Sequence, residues 1–262
     1  MDVDSLTVTQ ITQLLKQQEI SMDIINSLKQ DSRVSVTRLL VKWQQQQQNL
    51  LLEQQRIHTL YEQERLLVSC GYHLIAGVDE AGRGPLAGPV VVGAVILPMG
   101  CHLPLINDSK KLSAKQREEL YHRIKEVAID VQYTVIDRET IDHLNIYQAT
   151  ILGMYTAIQQ LVPQPDAVLI DAVPLPELPM PSVSLIGGDA ISASIGAASI
   201  IAKVERDRIM LKLDEEFPHY GFAKHKGYGT AQHMKAIAEY GPCPMHRQSF
   251  EPIKSWLKAK DE

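Results

Sequence analysis

Two carboxylates, Asp79 and Glu80, close the apolar run Leu74-Ile75-Ala76-Gly77-Val78 and are followed at once by Ala81-Gly82-Arg83-Gly84-Pro85-Leu86-Ala87-Gly88-Pro89. Adjacent residues of a regular strand point to opposite faces, so the two acids share a site only if the backbone turns there. Glycines permit such a turn. Crowded carboxylates repel, and a hard divalent cation relieves that cost. The N–H groups of a Gly-Arg-Gly loop can approach a nucleotide closely because no side chain projects from the glycines. Two further acids stand at suitable places: Asp171 ends the apolar run Ala167-Val168-Leu169-Ile170, and Asp189 follows Gly187-Gly188 just ahead of a helical segment. Either alone reads as a turn former or a cap. Together with Asp79 and Glu80 they make four carboxylates at the strand ends of an α/β sheet, where sites gather. Such a set suits two divalent ions acting on a phosphodiester.

A second cluster, Tyr220-Gly221-Phe222-Ala223-Lys224-His225-Lys226-Gly227-Tyr228-Gly229-Thr230, mixes rings, bases and glycine. Phosphate contacts plus ring stacking are the usual physics of a nucleic-acid grip. A zinc site from His225, His233, Cys243 and His246 is conceivable, but the spacings match no common pattern. Gly82-x-Gly84-x-x-Ala87 satisfies the dinucleotide fingerprint by spacing alone. That fingerprint must open a helix, and here a strand-like run, Val90 to Leu97, follows. No Walker loop or nucleophile elbow is present.

The elements that must position these residues can be read from periodicity. Residues 1 to about 68 contain no glycine or proline and carry apolar residues at helical spacing, with Ser21 and Ser35 as caps. From Gly71 the texture changes. Strands are expected at 74–78, 89–97, 131–136, 167–170 and 183–186, and helices at 112–127 (capped by Ser113), 146–161 and 191–217. A short amphipathic segment follows around Ile253 to Leu257. Alternating strands and helices make this an α/β layered domain, 71–262, behind a helical extension, 1–70. The 262 residues are 45% apolar and 22% charged, which excludes a disordered or collagen-like chain. Three widely spaced cysteines argue against a disulfide framework and for a cytoplasmic setting. No apolar run approaches the roughly 20 residues of a membrane helix. Net charge is −5, concentrated in an acidic centre (net −6 over 71–202), while residues 203–262 are net +2. That pattern fits a solvated acidic surface or a metal site beside a polyanion-binding face.

Several of these motifs resemble those of bacterial ribonuclease HII, the type 2 ribonucleases H. The resemblance is carried by Gly77 to Val90, by Asn107-Asp108-Ser109-Lys110-Lys111-Leu112, by Ala197 to Asp207 and by Lys224 to Thr230, in the family's order. It implies a ribonuclease H-like five-stranded mixed sheet flanked by helices, with a helical N-terminal appendage and a C-terminal helical region. It implies an endonuclease acting on the RNA strand of RNA–DNA hybrids and at ribonucleotides embedded in duplex DNA, giving 3′-hydroxyl and 5′-phosphate ends. Asp79, Glu80, Asp171 and Asp189 would be the catalytic and metal-holding acids, with Mn²⁺ or Mg²⁺ as cofactor. Gly82, Arg83, Gly84 and Tyr228 would read the ribose, and Ser109, Lys110, Lys224 and Lys226 would meet phosphates. A monomer is expected. The chain departs from the family pattern at Ala172, where many relatives have glycine, and at Ala190, where serine is common, which bears on the local backbone at Asp171 and Asp189.

Overall fold

Seven consecutive buried residues, mostly β-branched, form strand β2, Val90–Ile96. β2 pairs antiparallel with β1, Ile75–Ala81, and with β3, Asp130–Ile136. On its other side β1 runs parallel to β4, Ala167–Asp171, which in turn pairs parallel with β5, Ser182–Leu185. The five-stranded mixed sheet therefore has the order β3-β2-β1-β4-β5. This computed structural model describes residues 5–17, 20–104, 106 and 109–261, without the side chains of residues 110, 260 and 261.

Period-two alternation sorts the sheet into two faces. Ala76, Val78, Val92, Ala94, Val168 and Ile170 pack against Met154, Ala157 and Ile158 of helix α7, Ile146–Gln160. The opposite face carries helix α8, Ala193–Glu216, and beside it α5, Ala114–Val127, whose N-cap is Ser113 as the sequence suggests. Here α8 lies almost on the sheet backbone. A Cβ on Gly77 would stand 2.0 Å from the carbonyl carbon of Ser194, and one on Gly93 would stand 2.4 Å from the Ala198 oxygen. The small run Ser194, Gly196, Ala197, Ala198 is thus a packing requirement of a close helix–sheet contact. A short helix, α6 (Arg138–Leu144), precedes α7, and the C-terminal region adds α9 (Phe222–His225), α10 (Ala231–Tyr240) and α11 (Ile253–Asp261). Leu86, Ala87, Met210, Phe222, Ile237 and Ile253 form the core of that region.

The extension is helical: α1 (Val8–Leu14), α2 (Met22–Gln30, capped by Ser21), α3 (Val34–Leu60) and α4 (Glu62–Ser69). Ser35 lies inside α3 and is not its cap. By packing, the chain groups into two compact units, Met1–Arg56 and Ile57–Glu262. Unit one has its own small core of Ile11, Leu15, Ile25, Leu28, Val36 and Leu40. Ile57, Leu60 and Tyr61 belong to unit two because they pack among Leu120, Ile124 and Ala197 of α5 and α8. Among the described residues no helix is long and apolar enough to cross a membrane.

Candidate active site

Asp79 and Asp171 follow directly on Val78 and Ile170, which are partners on neighbouring parallel strands. In parallel pairing such residues share a face, with strands about 4.8 Å apart. That is the face covered by α8, whose Ser199 hydroxyl lies beside Asp79 and favours its charged form. The strand does not turn at the two acids: β1 keeps its ladder with β2 through Ala81. The turn comes at Gly82, with φ of +99°. Asp79 Oδ1 accepts the Glu80 N–H at 2.6 Å, and Glu80 Oε1 accepts Arg83 Nη1 at 3.1 Å. Burial holds the Asp79 carboxyl well above the usual carboxylate range, Glu80 and Asp171 push it further, and the Ser199 hydroxyl and the Glu80 N–H offset part of this. Asp171 Oδ1 accepts the Gly188 N–H at 2.7 Å, which fastens the short 3₁₀ turn Gly188–Ala190 containing the buried Asp189. Asp189 is not the cap of α8; Ser192 is. Ala172 has φ of +54°, the left-handed conformation that glycine adopts without a Cβ clash, so the departure from the family pattern leaves local strain.

The carboxylates thus crowd at the ends of β1 and β4, and their oxygen-only donor set suits a hard divalent cation. Among the described residues, no three His, Cys, Asp or Glu side chains stand as a ready metal cage. The fit lies in donor type and charge.

The loop Gly82–Pro89 is held from behind by two buried arginines. Arg247 donates to the carbonyls of Gly82 at 2.6 Å, Arg83 at 2.8 Å and Gly88 at 2.9 Å. Arg206 donates to Pro89 at 3.0 Å, Ala87 at 3.2 Å and Lys226 at 3.0 Å. In a trans peptide the C=O and the next N–H point oppositely. With the Gly82 and Arg83 carbonyls turned to Arg247, the N–H groups of Arg83 and Gly84 face the other way. A Cβ on Gly82 would lie 1.9 Å from Arg206 Nε, so the clamp requires glycine there. Burial lowers the Arg206 and Arg247 pKa values to about 10 and about 9, which leaves both cationic at neutral pH. Gly82-x-Gly84-x-x-Ala87 leads into β2, so the dinucleotide reading fails on structure as well as on sequence.

A cleft of about 390 Å³ opens in front of this loop. Of the residues singled out in the sequence it gathers Glu80, Gly82, Arg83, Gly84, Ser109 and Tyr228, and it adds Arg117, Ser199, Lys203 and Arg206. Tyr228 is half exposed. Ser109 is buried, its hydroxyl 2.9 Å from that of Ser199, so it lies in the wall and not on the surface. Lys224 is exposed on α9 and Lys226 is half-buried with φ of +53°; neither is among the cleft walls. The side chain of Lys110, like Asn107 and Asp108, lies outside the described residues.

The histidines do not form a zinc site. His233 Nε2 and His246 Nε2 are 3.0 Å apart, His233 Nδ1 lies 2.9 Å from the Tyr228 carbonyl, and His225 stacks on His233 at 4.4 Å. The rings spend their nitrogens on one another and on the loop that carries Tyr228. No role for Arg117, Ser199, Lys203, Arg206 or Arg247 was assigned from sequence, although 199, 203 and 206 lie inside the Ala197–Asp207 motif. Helical spacing offers a signal for three of them, since 199, 203 and 206 fall on one stripe of α8. Nothing local marks Arg247.

Comparison with known proteins follows the same outline. The family model described as Ribonuclease HII matches residues 76–253, and that of the Ribonuclease HII N-terminal domain matches residues 7–67. Ribonuclease HII of Geobacillus sp. (strain WCH70) is 45% identical over 261 residues, 99% of this chain and 94% of that protein. Ribonuclease HII of Geobacillus kaustophilus (strain HTA426) is 48% identical over 235 residues, 90% of each. Among solved structures, ribonuclease H2 from Pyrococcus horikoshii OT3 has the same fold, with a TM-score of 0.61 over 72% of this chain and 99% of that one at 24% identity.

Proposed function

The chain belongs to the ribonuclease HII family, and from that premise we propose that it is an endonuclease cutting the RNA strand of RNA–DNA hybrids and single ribonucleotides embedded in duplex DNA. The products carry 3′-hydroxyl and 5′-phosphate ends. Asp79, Glu80, Asp171 and Asp189 would hold divalent metal, Mg²⁺ or Mn²⁺. Bound there, the metal supplies activation of water and stabilisation of the leaving oxygen. The three free cysteines support a cytoplasmic setting.

One observation carries this reading: crowded carboxylates at the ends of β1 and β4 share Glu80 with a cleft walled by Gly82, Arg83, Gly84 and Tyr228. Lysine and arginine contacts to phosphate cannot separate RNA from DNA, because both carry the same charge. The 2′-hydroxyl can, being a donor and acceptor present only in RNA. The outward N–H groups of Arg83 and Gly84 are donors for it, and the Tyr228 ring can stack on the sugar. Arg117, Lys203 and Arg206 put positive charge along the cleft, although Lys203 is tied to Asp207 at 2.6 Å.

The test is incubation with duplex DNA containing one ribonucleotide, and with an all-RNA hybrid, in Mg²⁺, Mn²⁺ or chelator. Cleavage is expected only with metal. Tyr228→Ala is expected to damage the single-ribonucleotide reaction more than the hybrid reaction, and Tyr228→Phe to retain more activity. Cleavage in chelator would overturn the metal reading. Single-ribonucleotide cleavage by Tyr228→Ala at the parent rate would reduce Tyr228 to a loop aromatic.

A further inference from the structure

We propose that Glu64, on helix α4 and ahead of every motif that marks the active site, is a positioning residue for the Asp171–Asp189 half of the carboxylate cluster. The proposal rests on the reading of that cluster as the metal site. Glu64 is 3% exposed. Its Oε1 accepts the Ser192 hydroxyl at 2.7 Å, the Ser194 N–H at 3.0 Å and the Ser194 hydroxyl at 2.6 Å. Its Oε2 is buried without a hydrogen-bond partner. Burying a carboxylate is costly unless something holds the charge. Here the first turn of the 24-residue helix α8 does so, through a direct N–H bond and the positive end of its dipole.

The arrangement divides the orphan donors of α8 between two residues. Ser192, the N-cap, accepts the Ile195 N–H at 3.2 Å, while Glu64, from another helix, accepts that of Ser194. The Ser192 hydroxyl is fixed from both sides, accepting from Ile195 and donating to Glu64. Ser192 N–H donates in turn to the Gly188 carbonyl at 2.8 Å, and Gly188 N–H donates to Asp171 Oδ1 at 2.7 Å. Asp189 sits inside this short span. There is little slack on the other side, because a Cβ on Gly188 would stand 2.6 Å from Ile195 Cδ1. An unbroken hydrogen-bonded chain therefore runs from Glu64 through Ser192 and Gly188 to Asp171, with the Asp189 backbone inside it. Without Glu64, Ser192 and Ser194 lose their shared acceptor, and the turn that orients both acids is held from one end only. Removing a residue that orients metal-holding side chains typically costs roughly tenfold to a hundredfold in metal affinity or activity.

The experiment compares full-length parent, Glu64→Ala, Glu64→Gln and Ser192→Gly by Mn²⁺ calorimetry, thermal melting, and kcat and KM on a hybrid substrate. Glu64→Ala is expected to weaken Mn²⁺ binding and lower kcat roughly tenfold, with KM unchanged, because the Gly82–Gly84 loop and Tyr228 are held by other residues. Glu64→Gln keeps the Oε1 acceptor and is expected to recover most of the loss. Ser192→Gly breaks the same chain at a helix position that tolerates glycine, and covers the case in which Glu64→Ala does not fold. A folded Glu64→Ala or Ser192→Gly protein that melts lower yet binds Mn²⁺ and turns over like the parent would make Glu64 a structural cap only, and the proposal fails. So would a Glu64→Gln protein no better than Glu64→Ala. A parent that binds no Mn²⁺ overturns the metal reading and this proposal with it.

Discussion

Acid should unfold this protein through two histidines, and the hydrogen-bond chain determines the sign. His233 Nδ1 faces the Tyr228 carbonyl oxygen, so that nitrogen carries the proton and Nε2 is bare. The facing His246 Nε2 must then be the N–H, which leaves its Nδ1 to accept the Cys243 N–H at 2.9 Å. A further proton on either ring sets N–H against N–H. Burial accordingly lowers both pKa values from 6.5 to about 4. The unfolded chain therefore binds more protons than the native one. The stability contribution is complete above about pH 6.5 and is lost as pH falls towards about 4. Each pH unit inside that window costs about 1.4 kcal/mol per imidazole, so going from about pH 7 to about pH 5 costs about 2 kcal/mol for one ring, and the second ring adds to it. That is a large part of the roughly 5–15 kcal/mol of an ordinary domain. Asp79 acts in the opposite sense, because protonation relieves its burial and its repulsion by Glu80 and Asp171, so the comparison must be between variants. Urea unfolding of the parent and of His233→Gln, taken in steps across this range, is the assay. The parent should lose stability towards pH 5, and His233→Gln should lose it with a visibly shallower slope. Equal slopes, or a parent whose stability is flat from pH 7 to pH 5, would refute the account.

Asp79→Asn removes a buried charge that its neighbours repel, so it should raise the melting temperature of the metal-free protein while cutting metal-dependent turnover by on the order of a hundredfold or more; near-parent turnover by the folded variant sinks the assignment. Ala172→Gly relieves a left-handed alanine and should add about 1 kcal/mol in urea unfolding, with no gain meaning that the strain is absorbed elsewhere. Arg247→Met leaves the carbonyls of Gly82, Arg83 and Gly88 without their donor; at about 1–3 kcal/mol for each buried group, a loss of at least about 3 kcal/mol is expected, and Arg247→Lys should recover little because an ammonium cannot span the fork. Removing residues 1–56 should leave a folded, metal-dependent nuclease, whereas removing 1–68 also takes Ile57, Leu60, Tyr61 and Glu64 from unit two and should yield a poorly folded or inactive protein; equal activity of the two truncations would contradict this.

Local elements and the composition of the site's loops are legible in the amino-acid order. The capped helix α5, helix α7, and strands β2, β3, β4 and β5 fall within a few residues of where periodicity places them, because period and capping are short-range properties of the chain. Asp79 and Glu80 beside a glycine loop were legible for the same reason. Relations between residues far apart in the chain come from the folded packing. Register between β1 and β4 sets Asp171 beside Asp79 across some ninety residues, and these parallel strands have no tight turn between them to fix that pairing in the sequence. The turn expected at Asp79–Glu80 moved to Gly82, because pairing with β2 holds the strand straight through Ala81. Arg206 and Arg247 look like surface bases in sequence, yet they are buried donors to the loop carbonyls. Glu64, which no sequence motif marks, is held inside by the α8 N-terminus. Ile57 and Leu60, at the end of α3, and Tyr61 after them pack with α5 and α8, which a run of helical spacing does not reveal. Composition and period describe a residue's neighbours in the chain, whereas burial, charge partnership and register are set by its neighbours in space.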